Sequence, residues 1–281
     1  MNSSRLSIFT VLLLIINLLV VDRLATSQPI RQQNPITIQD GLIYVQVRVN
    51  GHGPYNFILN SGVSGIGRID QRIARELGLK VVGYQENREA NQVKREFLVT
   101  IDKLSVGQLT HTDLKLAVIN HNEIPRELPI DGMIGRDFFT RYLITMDGPA
   151  RQLIVSADTL SVRAKGVSRY SSPFLILGKL GPKDLLFNLE MGSSLPLLFP
   201  KASLMGIHYT DTTNQRVVTL ANTTFVLQEA ILHDELILGG IRLKDQTIYY
   251  SDKAHQINVG VDFLKEHIVS FDQRKKLIRI E

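Results

Sequence analysis

Gly53-Pro54-Tyr55-Asn56-Phe57-Ile58-Leu59-Asn60-Ser61-Gly62 is answered later in the chain by Gly181-Pro182 and then by Phe187-Asn188-Leu189-Glu190-Met191-Gly192, the two stretches sharing Phe-x-Leu-x-x-Gly. Two further echoes follow in the same order. Leu104-Ser105-Val106-Gly107-Gln108-Leu109 is matched by Leu236-Ile237-Leu238-Gly239-Gly240-Ile241, and Gly135-Arg136-Asp137-Phe138-Phe139 with Asp147 by Gly260-Val261-Asp262-Phe263-Leu264 with Asp272. The offsets are about 125 to 132 residues, too long for the stacked units of a solenoid, so they point to a duplicated domain. Glycines punctuate the turns of any strand-rich chain, but three matches in one order and at similar offsets exceed that. The expected organisation is a leader over 1–27, a first lobe over 28–156, a connection over 157–172 and a second lobe over 173–281.

Around the first of these stretches the local pattern is that of strands. Ile43, Val45, Val47 and Val49 alternate with Tyr44, Gln46, Arg48 and Asn50, the period of two that marks a half-buried strand. Asn50-Gly51 then supplies a tight turn, and a second strand starts at Pro54. One helix is expected in this half, where Ile69, Ile73 and Leu77 recur every four residues and Gly78 stands at the stop. The fold class is therefore all-β: two tandem β lobes with a few short helices.

Composition narrows the function classes. A chain of 281 residues, 44% hydrophobic and 21% charged, can bury a sizeable core. The net charge of +5 is scattered, with no run longer than Arg274-Lys275-Lys276, and nucleic-acid binding wants a clustered basic face. No cysteine is present, so disulfides, thiolate metal sites and a cysteine nucleophile are out. Arg5, the apolar run 8–21 and the small residues Ala25-Thr26-Ser27 read as a signal peptide. About 14 apolar residues fall short of the roughly 20 that span a bilayer, so no stable span is expected after cleavage, although a retained anchor is the competing reading. The expected location is secreted, periplasmic or cell envelope.

The stretch 44–80 resembles the start of the retropepsin-like, pepsin-superfamily aspartyl proteases: strand, Asn-Gly turn, Gly-Pro-x-x-Phe-x-Leu, the position of Asp-Thr-Gly-Ala-Ser, then a short helix ending in Leu77-Gly78-Leu79. Asp131-Gly132-Met133-Ile134-Gly135-Arg136-Asp137-Phe138-Phe139 resembles the family's later apolar-apolar-Gly segment, which packs behind the catalytic loop. The resemblance implies that two lobes each bring one Asp-Thr-Gly loop to their interface. One carboxylate there takes a proton from a bridging water while the other, protonated, donates to the scissile carbonyl oxygen.

At those positions this sequence reads Asn60-Ser61-Gly62 and Glu190-Met191-Gly192. An amide cannot act as a base, and the extra methylene of Glu190 shifts its oxygens by about 1 Å, a misplacement that can cost about a hundredfold in rate. Asn60 and Glu190 are thus the degenerate dyad positions, with Ser61, Gly62, Ser64, Gly192 and Ser194 as supporting residues. By the resemblance, Ser61 keeps the hydroxyl with which the family's Thr braces the two loops, Met191 lacks it, and Ser64 and Ser194 stand where a hydroxyl bonds the carboxylate. A different register would place the acids at Asp70, Asp131 or Asp184. The seven histidines show no metal-binding spacing, no Gly-x-Ser-x-Gly elbow occurs, and neither metal nor cofactor is implied. Asn222-Thr223-Thr224 is a glycosylation sequon in a eukaryotic host.

Three functions compete on this reading: a catalytically impaired, monomeric protein that holds a peptide or protein ligand in its cleft; an aspartic-type endopeptidase or altered hydrolase working through Glu190; and a structural envelope protein. The candidate covering hairpin, 84–96, is polar and has no glycine, unlike the glycine-bearing flaps of the family.

Overall fold

A computed structural model describes residues 31–281 apart from 90–91, 121, 123–125, 172–173 and 221–222. The leader and the sequon asparagine lie outside the described residues. Residues 31–281 group as one unit, more than half of it strand.

The first half closes a ring of strands. Leu42–Val49 pairs antiparallel with His52–Asn60, which runs parallel to Gly132–Gly135; that strand is antiparallel to Gly67–Asp70, which is parallel to Leu109–Ile119. Gln92–Val106 then pairs with Leu109–Ile119 on one side and with Leu42–Val49 on the other. The alternation expected at 43–49 holds with one exception. Ile43, Val45, Val47 and Val49 are buried, but so is Tyr44, which packs with Leu42, Ile58 and Ile130 in a second small cluster and donates its hydroxyl to Leu128 O at 3.1 Å. The strand is covered on both faces at this end, which a period-two pattern cannot reveal.

The second half repeats these pairings. Leu175–Leu180 pairs with Lys183–Leu189, which is parallel to Ile257–Val259; that strand is antiparallel to Leu197–Pro200, which is parallel to Gln246–Ser251. Tyr209–Leu220 and Thr223–Leu232 form its long hairpin, and Leu236–Leu238 closes onto Leu175–Leu180. The Leu-x-x-Gly echoes occupy like turns: Val106 faces Leu109 across Gly107 at φ +55°, and Leu238 faces Ile241 across Gly239 at φ +60°. A left-handed conformation at a two-residue turn is why both sites hold glycine.

One six-stranded antiparallel sheet joins the halves, in the order 31–35, 152–156, 143–147, 268–272, 277–280, 167–169. At its centre Thr145 pairs with Ser270 and their hydroxyls meet at 2.7 Å. The same strand order reads from either edge, a pseudo-two-fold. Within the expected connection 157–172 lies a strand, Val167–Ser171, whose first three residues pair with Leu277–Ile280 and whose last two pair with Leu175–Leu180. The expected helix is shorter than its pattern. Ile69 lies in the strand Gly67–Asp70, and the helix Gln71–Glu76 starts where Asp70 Oδ1 accepts Arg72 N–H at 2.8 Å and stops before Gly78 at φ +60°.

Candidate functional site

Each dyad position ends a strand and opens a turn, and the two turns are built alike. Asn60 O accepts from Val63 N at 3.3 Å and Glu190 O from Ser193 N at 3.2 Å. Behind them, Gly135 N donates to Ile66 O at 2.9 Å and Arg136 N to Val63 O at 3.2 Å; Gly260 N donates to Pro196 O at 3.1 Å and Val261 N to Ser193 O at 2.7 Å. The apolar-apolar-Gly segments thus back the loops, as the resemblance implied. Glycine is required at both: a methyl group on Gly135 would lie 2.4 Å from Gly65 O, and one on Gly260 would lie 2.1 Å from Leu195 O.

The loops face each other. A methyl group placed on Gly62 would sit 3.2 Å from Asn60 Oδ1 and equally 3.2 Å from Glu190 Oε2, and one on Gly192 would sit 2.7 Å from Asn60 Nδ2. The side chain of each loop therefore reaches the glycine of the other. Asn60 Oδ1 accepts Gly62 N–H at 2.9 Å, and Glu190 Oε1 accepts Gly192 N–H at 3.0 Å. Asn60 Nδ2 points at Met133 Sδ, 3.8 Å away, a weak acceptor that the sequence did not suggest. Among the described residues Glu190 Oε2 has no hydrogen-bond partner.

Ser61 ties the two loops together. Its hydroxyl donates to Leu189 O at 3.1 Å, stands 3.3 Å from Glu190 Oε1 and accepts Met191 N–H at 2.9 Å. Met191 cannot return the bond, so the brace runs one way; its thioether is buried instead. Ser61→Ala is expected to destabilise by about 1–3 kcal/mol, the cost of leaving a buried amide and carbonyl unpaired, with Ser61→Thr close to neutral. Urea unfolding of both variants checks this.

Ser64 and Ser194 differ from expectation. Neither bonds Asn60 or Glu190 among the described residues. Ser64 is exposed, while Ser194 Oγ accepts from Arg216 Nη2 at 3.3 Å. Of the alternative acids, Asp70 caps the helix and Asp131 accepts Asn56 N–H at 2.8 Å and pairs with Arg72; burial pushes the Asp131 carboxyl above its usual range despite those donors. Asp184 is exposed beside the turn at 181–182. Among the described residues no hydrogen bond joins Asp131 or Asp184 to the loops. A void of about 20 Å³ behind Ser61, lined by Phe139, Phe174, Met191 and Phe271, has room for a single water at most and cannot hold a ligand.

The first-half hairpin, Val81–Glu89 with Gln92–Val106, sorts its residues by face. Glu96 is buried, accepting Gln85 Nε2 at 3.0 Å and Asn87 Nδ2 at 2.9 Å, with Arg68 at 3.5 Å. Tyr84 and Phe97 pair on the opposite, exposed face, where Arg95 lies 3.3 Å over the Tyr84 ring. In the long hairpin of the second half Glu229 accepts from Asn214, Tyr249 and Thr212, which hold its carboxyl below the usual range. No group of three or more metal-ligating side chains occurs among the described residues.

Paired loops at the joint of two like halves, each backed by an apolar-apolar-Gly segment, define the pepsin/retropepsin-like aspartyl protease fold. Residues 45–138 match the aspartyl protease family. In structure the chain is similar to the aspartic proteinase from Irpex lacteus, with a TM-score of 0.53 and 12% identity, over 89% of this chain and 97% of that one. No curated protein matches it in sequence.

Proposed function

We propose that this protein is an exported, catalytically impaired relative of the aspartyl proteases that holds a peptide or another extended ligand between its two halves. The carrying observation is that Asn60 and Glu190 occupy the facing loops. An amide and a carboxylate ionise only once between them, so they cannot share a proton as two aspartates do. A ligand would still meet Asn60 as donor and Glu190 Oε2 as acceptor. The test is capture of a random peptide pool on the immobilised protein: intact peptides are expected to be retained, and cleaved products or no retention overturn the reading.

A second reading, a slow hydrolase in which Glu190 acts as the base, is favoured by the unpartnered Oε2 alone. Two organisational proposals accompany the first. Duplication is supported by the like pairings of both halves, and a monomer by a central sheet completed within one chain. Export to the envelope or beyond rests on the leader pattern, and N-terminal sequencing of the mature protein tests it. Among the described residues no helix is long and apolar enough to cross a membrane.

A further inference from the structure

The strand Leu42–Val49 changes neighbour partway along. Its Val45 faces Ile36 of the strand Arg31–Gln39, whereas from Val47 onward its partner on that side is Gln92–Val106. Pro35, which would face Gln46, has no N–H with which to continue the ladder, and residues 31–35 pair with Gln152–Ser156 instead. Around Gln46 the two neighbours part. They leave an open pocket of about 320 Å³, lined by Asn34, Pro35, Gln46, Arg48, Pro54 and Ser105, a size within the roughly 300–1,000 Å³ of small-molecule sites. One wall, the Gly107 turn, is clamped by the buried Gln32, which donates to Val106 O at 3.1 Å and accepts Gln108 N–H at 2.6 Å.

The polar groups of this pocket keep bonding capacity. Asn34 is 8% exposed and donates Nδ2 to Leu153 O at 3.2 Å, which fixes the amide and leaves Oδ1 without a partner among the described residues. A nearly buried acceptor left so costs free energy that a ligand hydroxyl would recover. Arg48 gives Nη1 to Gly51 O and Gly53 O, each at 3.3 Å, so one side of its guanidinium is held in place. Nε and Nη2 have no partner among the described residues, and no carboxylate there lies within ion-pair distance of Arg48. Gln46 donates to Asn56 Oδ1 at 2.7 Å and keeps its own carbonyl oxygen free. The second half lacks this polar ring: Leu177 and Leu186, both exposed, pair where Gln46 and Asn56 pair in the first.

We propose that this pocket, none of whose residues belongs to the loops of Asn60 and Glu190, binds a small hydroxylated carboxylate such as a sugar acid. The carboxylate docks on Nε and Nη2 of Arg48, a planar pair of donors that matches its two oxygens. A hydroxyl donates to Asn34 Oδ1, and Pro35 and Pro54 pack against the C–H face of the ligand. A single cation beside two free carbonyl oxygens suits one negative charge and several hydroxyls better than a more highly charged anion.

Isothermal titration of the full chain with D-glucuronate, D-glucose and acetate tests this, since the three carry both groups, the hydroxyls alone and the carboxylate alone. Saturable binding of glucuronate is expected, with glucose and acetate each about tenfold weaker, the effect of losing a charge-assisted pair or the hydroxyl contacts. Arg48→Gln should bring glucuronate down to the affinity of glucose. Gln46→Trp, at an exposed position where the indole would fill the pocket, should abolish binding of both sugars with the thermal midpoint unchanged. No binding of glucuronate, equal affinity for it and for glucose or acetate, or glucuronate binding undiminished by either substitution overturns the site.

Discussion

Incubated at acid pH with an unfolded protein substrate, the wild-type chain is expected to release no new peptide ends, and a pepstatin-like inhibitor is expected to leave its thermal midpoint unmoved. The hydroxyl of such an inhibitor stands in for the water that two aspartates hold between them. Here Asn60 Oδ1 is occupied by Gly62 N–H, and Glu190 Oε1 by Gly192 N–H beside the Ser61 hydroxyl. Glu190 supplies the one carboxyl of the pair, so no second carboxyl can donate. Each lost proton-transfer partner is worth about 10²–10⁴ in rate, which places the residual reaction under ordinary detection. Acid cleavage by the wild type that vanishes in Glu190→Gln would instead establish the single-carboxylate hydrolase.

Ile134→Ala is expected to cost about 2–5 kcal/mol, the range for large-to-small changes at sites that cannot collapse. Ile134 is 2% exposed, faces Leu59 in the parallel pair and Gly67 in the antiparallel one, and lies next to the glycine that supports the first loop. Strands on both sides hold the backbone in place, so the cavity persists. Val259, fully buried and paired with Leu189 and Leu197, is its counterpart behind Glu190. Val259→Ala should lower stability in the same direction and by less, since fewer carbons are removed. Denaturant unfolding of both variants, with the slope held constant, checks the pair, and a near-neutral Ile134→Ala would mean that the segment does not support the loop.

The two variants probe what was most legible in the sequence. Alternating Ile43, Val45, Val47 and Val49, turn glycines and three ordered echoes are short-range signals: strand faces and tight turns depend on neighbours within a few residues. That is why the strands, the loop positions Asn60 and Glu190 and the backing segments stand where they were expected. Tyr44 and Ser194 were misread for one shared reason. Each is defined by a residue far away in the chain, Leu128 over the first and Gly41 with Arg216 over the second.

The sequence by itself determined the all-β class and placed Asn60 and Glu190 at the ends of two strands, because both follow from residue type and local period. The tertiary structure alone decided that Asn60 reaches Gly192, that Ser61 braces both loops while Met191 does not answer, and that Ser194 bonds Arg216 while Ser64 is exposed. Those facts arise where the two halves meet through the paired strands 143–147 and 268–272. A contact across that joint is set by the packing of distant segments, and no local pattern of residues encodes it.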